Sequence, residues 1–223
     1  MMKKICLALA LALLPVAGFA DAPANFVQGV NYVPVTPAQK TDVKPGQIEV
    51  IEFYWYGCPH CFALEPFVQA WEQHLPKDVV FKRVPAAMKG SEFYVDAQAA
   101  FTADQLGIGE KIREPFFNAI HRDDDEALRT DQDAIRSFFG KFGVKPADFD
   151  AAWNSFGVQM AISRSQHLSD LYQVEGVPTV IVNGKWKTGA GYQMQPADIM
   201  RCVEFLVAKE EAAMGTAPKA KHK

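Results

Sequence analysis

The chain has 223 residues, 49% of them hydrophobic, and a formal net charge of −3. A chain of that length and balance makes one large globular domain, or one domain with an insertion, rather than a disordered or fibrous molecule. So mild an acidity gives no electrostatic case for binding nucleic acid.

Residues 1–20 read as a secretory signal peptide. Lys3 and Lys4 form a positive start, residues 5–16 are apolar, and Gly18-Phe19-Ala20 sets small residues for cleavage after Ala20. The apolar run is too short for a membrane span, and Cys6 has no small-residue lipobox before it. The signal carries two positive charges, so cleavage takes the net charge from −3 to −5. Cys58, Cys61 and Cys202 remain, which permits at most one disulfide within the mature chain. In an oxidising compartment that points to a working disulfide rather than a structural staple.

Residues 21–45 are Pro-rich, with a possible strand at 26–35. Residues 48–56 (IEVIEFYWY) are β-branched and aromatic and predict a buried strand, ended by Gly57. From Cys58 to His74 the apolar residues Phe62, Leu64, Phe67, Val68 and Trp71 recur at helical spacing. A strand is expected at 79–84. Strand patterns then vanish. Amphipathic helices are expected at 93–106, 109–121 and 131–142, and another begins at Pro146, a residue suited to the first helical position. The acidic run Asp123–Glu126 reads as a solvated loop, because it lacks the alternating ligands and the Gly of a calcium loop.

A long helix is expected to end at about Tyr172. Gly176-Val177-Pro178-Thr179 makes a turn into a buried strand that ends at Val182. Asn183-Gly184 is a hairpin signal leading to a partner strand at 185–189. Residues 196–213 predict the last helix, and 214–223 a disordered basic tail. Without the helical block a compact α/β unit remains. The expected fold class is α/β, a thioredoxin-like fold with an inserted α-helical domain. Its thioredoxin-like parts span 21–85 and 166–213, and the helical insertion spans 86–165.

The chemistry lies in Cys58-Pro59-His60-Cys61. A strand, a C-x-x-C pair and then a helix is a thiol redox signature. The attacking species in disulfide exchange is the thiolate, and a free cysteine with a pKa of ~8.5 is little ionised at pH 7. Cys58 sits at a helix N-terminus, which favours an anion. His60 can donate a hydrogen bond or carry positive charge, and Pro59 fixes the turn. Cys61, one turn further in, would be the more buried, resolving thiol. As a structural disulfide the pair would close a very small loop and stabilise little. A zinc site wants four ligands, but there is no second C-x-x-C, and His74, His121 and His167 are isolated. Haem attachment would need His where Phe62 stands.

The run from Glu52 through Cys61 resembles the active site of the DsbA family of periplasmic disulfide oxidases. Gly176-Val177-Pro178-Thr179 is similar to that family's cis-proline loop, and the helical block and signal peptide fit it too. The resemblance implies roles for matching positions. Cys58 would be the exposed nucleophile that forms a mixed disulfide with substrate, and Cys61 its buried partner. His60 would be the main stabiliser of the thiolate. Glu52 would be a buried acid relaying the Cys61 proton. Pro178 would be cis, bringing the backbone of Val177 beside the sulfurs to pair with an extended substrate.

The resemblance also implies no metal and no cofactor beyond the Cys58–Cys61 disulfide. The implied partners are unfolded or reduced secreted proteins and an inner-membrane, DsbB-type, quinone-linked reoxidase, with a monomer in the periplasm. The direction of exchange does not follow from the fold. A dipeptide carrying His60 stabilises a thiolate better than one without a cationic side chain, which favours an oxidase. A reductase or isomerase, a peptide-binding chaperone and a metallochaperone are the rival classes. Lys82 is a possible charge partner for Glu52, subject to a register that a one-residue slip would reverse. Cys202, on one helical face with Ile199, Val203 and Leu206, reads as an inert core thiol. Residues 189–194 are expected to form a loop near the active site.

Overall fold

A computed structural model describes residues 25–87 and 92–216. The expected signal peptide and residues 217–223 lie outside that range. Five strands form one sheet: β1 Val33–Pro34, β2 Ile48–Tyr54, β3 Val79–Pro85, β4 Thr179–Val182 and β5 Trp186–Gly189, in the order β1-β5-β4-β2-β3. β2 pairs parallel with β3 and antiparallel with β4, so both its edges are taken and all seven of its residues are buried.

Helix α1 (Pro59–Glu72) follows β2. Helices α2 (Glu92–Gln105), α3 (Gly109–His121), α4 (Gln132–Gly140), α5 (Pro146–Trp153) and α6 (Phe156–Leu171) separate β3 from β4, with a 3-10 turn at Glu126–Arg129. α7 (Pro196–Thr216) closes the described chain.

The period-two alternation of β2 divides its side chains between two layers. Ile48 and Val50 pack with Leu64, Val68 and Trp71 of α1 and with Ile199, Val203 and Leu206 of α7. Ile51 and Phe53 face the other way, onto Tyr172 and Ile181. Glu52 and Tyr54 share the parity of Val50, and hence the α1 face. The helical block builds its own core from Phe116, Phe117, Ile120, Ile135, Phe139 and Phe149, and this core is continuous with Tyr54, Tyr56, Cys58 and Cys61. Asp131 caps α4 by accepting the N–H groups of Asp133 and Ala134, and Ser155 caps α6 by accepting that of Val158.

Three expectations are corrected. The strand expected at 26–35 shrinks to Val33–Pro34, because residues 27–32 turn on themselves. Asn31 donates its N–H to the Val27 carbonyl and accepts the Val27 N–H through its side chain, with Gly29 at φ 85°. The strand expected to reach Tyr56 stops at Tyr54, since the Tyr56 peptide is bonded to side chains instead. The last helix continues to Thr216 rather than 213, and Met214 packs onto the core. The β4–β5 hairpin has the positive φ values that its Asn-Gly turn requires, 52° at Asn183 and 65° at Gly184.

Candidate active site

β2 delivers the chain to its end at Tyr54, and Trp55–Cys58 closes a turn in which the Cys58 N–H donates to the Trp55 carbonyl at 3.0 Å. Cys58 is the N-cap of α1, in extended conformation (φ −88°, ψ 118°), with Pro59 at the first helical position. Its missing N–H is no loss there, because first-turn N–H groups have no partner within the helix. Pro59 and His60 are exposed. Both thiols of the pair are free, Cys58 being 6% and Cys61 1% exposed. The nucleophile candidate is therefore more covered than the resemblance implies. Its sulfur lies 3.4 Å from the carbonyl oxygen of Val177.

That carbonyl is placed by sheet register. Phe53 pairs with Thr179 and Glu52 with Val180, which brings the residues before β4 alongside the end of β2. The Val177–Pro178 peptide is cis, as the resemblance implied, and Pro178 is buried. The loop after β5 completes the surroundings. His60, Glu175, Val177, Pro178, Gly189 and Tyr192 border a cleft of about 470 Å³.

The two thiols have opposite electrostatic environments. The Cys58 thiol is lowered from 9.0 to about 6. The largest cause is the hydrogen bond from the Cys61 side chain, which burial opposes. The backbone N–H groups of Cys61 and His60 add to the lowering, and the His60 side chain adds last. The resemblance implies His60 as the main stabiliser, whereas here its side chain ranks behind the Cys61 thiol and the two backbone N–H groups. Cys61 is pushed well above 9.0, first by burial and then by the hydrogen bond and charge of Cys58.

Glu52 of β2 is 2% exposed, and its charge helps to raise the Cys61 thiol. Burial and then Glu65 lift its carboxyl from 4.5 to about 7, against the pull of Arg83 and Arg113. Lys82 is not its partner. The register sets Glu52 opposite Arg83 and Ile51 opposite Lys82, so Lys82 turns to the other face of the sheet and binds Glu49 at 2.5 Å. Arg83 instead reaches Glu52 and Glu65, each at 3.6 Å, and Glu72 at 2.8 Å. Arg113 of α3 is buried, with its guanidinium 4.8 Å from the Tyr54 ring centre.

Sequence reasoning missed Glu65, Arg83, Arg113, Asp96 and His121. Only Glu65 left a local signal, since a carboxylate four residues after Cys61 interrupts the buried face of α1. Cys202 is 0% exposed in the α7 layer, its sulfur 3.6 Å from the Thr188 hydroxyl, and burial raises its thiol. Among the described residues no three His, Cys, Asp or Glu side chains are grouped to hold a metal ion.

A dithiol at the N-terminus of the helix that follows a central strand, faced by a cis-proline turn, defines a thioredoxin-fold thiol:disulfide oxidoreductase. The comparisons agree. The DSBA-like thioredoxin domain matches residues 77–199. The chain is 38% identical over 207 residues to the thiol:disulfide interchange protein DsbA of Burkholderia cepacia, covering 92% of this chain and 96% of that protein. It is 34% identical to the DsbA of Pseudomonas aeruginosa over 95% of this chain and 99% of that one. The crystal structure of Pseudomonas aeruginosa DsbA superposes with a TM-score of 0.78 at 33% identity, over 86% of this chain and 97% of that one. The chain belongs to the DsbA-like family of thioredoxin-fold proteins, and its members are thiol:disulfide oxidoreductases.

Proposed function

We propose that the protein is a periplasmic dithiol oxidase that donates a Cys58–Cys61 disulfide to folding secreted proteins. A substrate thiolate attacks the Cys58 sulfur, and the Cys58–Cys61 bond breaks. Cys61 leaves with the electron pair and takes up a proton, for which Glu52, poised near neutrality, is the adjacent buried source. The product is a mixed disulfide between substrate and Cys58. A second substrate thiolate attacks the substrate sulfur of that bond and expels Cys58 as thiolate. Two electrons have then passed to the protein, and the substrate carries a new disulfide.

The observation that carries this reading is the split between the thiols. A sulfur held near pKa 6 leaves readily and is stable once reduced, which drives exchange toward substrate oxidation. Pro59 and His60 shape and assist that thiolate. The backbone of Val177, next to Pro178, is the docking edge for an extended substrate. The working group is the disulfide itself, with no metal or other cofactor. The thioredoxin-like unit of 21–85 and 166–213 carries the thiols, and the helical insertion of 86–165 covers them. The signal of residues 1–20 supports the periplasmic location, and the family supports reoxidation of a monomer by a DsbB-type, quinone-linked membrane partner.

The test is oxidation of a reduced, unfolded substrate protein by the preoxidised enzyme, with Cys58→Ser as control. The variant should lose the activity, and the wild type should lie toward its reduced form at equilibrium with glutathione at pH 7. An equilibrium on the oxidised side would make the protein a reductase, and a fully active Cys58→Ser would remove the scheme altogether.

A further inference from the structure

Two side chains of the helical block, neither of them part of the thiol exchange, bind opposite ends of one residue in the turn that presents Cys58. Asp96 on α2 is 1% exposed, and its Oδ2 accepts the N–H of Tyr56 at 3.1 Å. His121, the last residue of α3, meets the Tyr56 carbonyl oxygen through Nε2 at 2.7 Å. A carbonyl only accepts, so Nε2 carries the proton and donates. Tyr56 lies beyond the last pairs of β2, Phe53 with Thr179 and Tyr54 with Pro85, and the sheet no longer fixes its peptide groups.

The turn they bind has a soft degree of freedom. In a four-residue turn closed by the Trp55 carbonyl and the Cys58 N–H, the central peptide is the one between Tyr56 and Gly57. Turns of types I and II differ by a flip of that central peptide, and glycine at the third position permits either form. Gly57 is not among the glycines with positive φ, so the form with the flipped peptide is not the one adopted. His121 binds the carbonyl that would swing away in such a flip, and Asp96 binds the N–H on the other side of the same residue. Phe93, three residues before Asp96, stacks on Trp55 at 4.5 Å, and the His121 ring stacks on Phe62 at 4.8 Å. Burial raises the Asp96 carboxyl well above its usual range, against the Tyr56 N–H and Arg129, which shows how dry this contact is.

We propose that Asp96 and His121 are positioning residues that lock the Tyr56–Gly57 peptide in one orientation and so hold the Cys58 sulfur within reach of the N–H groups of His60 and Cys61. On this view the helical block sets the reactivity of the thiol from behind the active-site turn. The inference rests on the reading of Cys58 as the reacting thiol.

The experiment is ultraviolet titration of the Cys58 thiolate, with melting temperature as a parallel measurement, in two pairs of variants. His121→Gln keeps an N–H donor and His121→Leu does not. Asp96→Asn keeps a carbonyl acceptor and Asp96→Ala does not. The Gln and Asn variants should titrate with the wild type, whereas the Leu and Ala variants should titrate about half a unit to one unit higher as hydrogen bonds to the thiolate are lost. Leu and Ala variants that melt earlier yet titrate like the wild type would reduce the contacts to plain structural support and overturn the proposal. Should Asp96→Ala not fold, the half-buried His121 pair decides the matter alone. A wild type with no thiol ionising below the ordinary range would instead defeat the underlying assignment of Cys58, a result visible before any variant is made.

Discussion

Cys58 and Cys61 stand one helical turn apart, yet the first loses its proton near pH 6 and the second keeps its own far above neutrality. The sign of the consequence follows from linkage. The folded thiol at about 6 lies below its ordinary 9.0, so ionisation stabilises the reduced fold fully above pH 9, and this stabilisation is lost as pH falls through 6. The oxidised protein has no such thiol. Reduction should therefore consume two protons below pH 6 and one above. The potential should fall by ~59 mV per pH unit on the acid side and ~30 mV on the neutral side, since a tenfold change is ~30 mV for two electrons. Glutathione equilibria between pH 4.5 and 8 would show the bend, and a single slope across that range would contradict the assignment of the low thiol.

At the scale of elements, the site depends on β4 and β5 holding the Val177–Pro178 turn against the end of β2. Gly189, the last residue of β5, has φ 147°, and a Cβ there would meet the Pro178 carbonyl oxygen. Because that neighbour is backbone, Gly189→Ala has to shift the turn itself. We expect a loss of about 2 kcal/mol or more in stability, with slower substrate oxidation as the Val177 carbonyl leaves the Cys58 sulfur. An unchanged melting curve would show that the turn is not so confined.

Elements were the part most legible in the sequence. The apolar run of β2, the helical spacing after Cys58 and the Asn183-Gly184 hairpin are local signals that a short window contains. Register was not legible. Lys82 and Arg83 are adjacent cations on one strand, and only the parallel pairing with β2 decides which of them faces Glu52. Asp96 and His121 were hidden for a related reason. They bind Tyr56 from 40 and 65 residues away, and nothing near them in the chain marks a backbone group as their partner.

For the whole molecule, the helical block and the thioredoxin-like layers share a core rather than merely touching. Phe117 is 1% exposed and packs against Tyr54, Tyr56 and Phe62, with ring centres 4.7 to 6.3 Å apart. Phe117→Ala should cost about 3–5 kcal/mol, and unfolding should remain one transition by both near- and far-ultraviolet dichroism. Two separated transitions would show that the blocks fold independently. Cys202 belongs to a different core cluster from Cys58 and Cys61, sealed on the α7 side of the sheet. The three thiols among the described residues allow three pairings, and the native core permits one. While the chain is unfolded, nothing separates the third sulfur from the other two, and an early bond to Cys202 would trap the molecule in a form that cannot pack. A bond between Cys58 and Cys61 fits the native core at any stage, so it is only closure onto Cys202 that folding has to outrun.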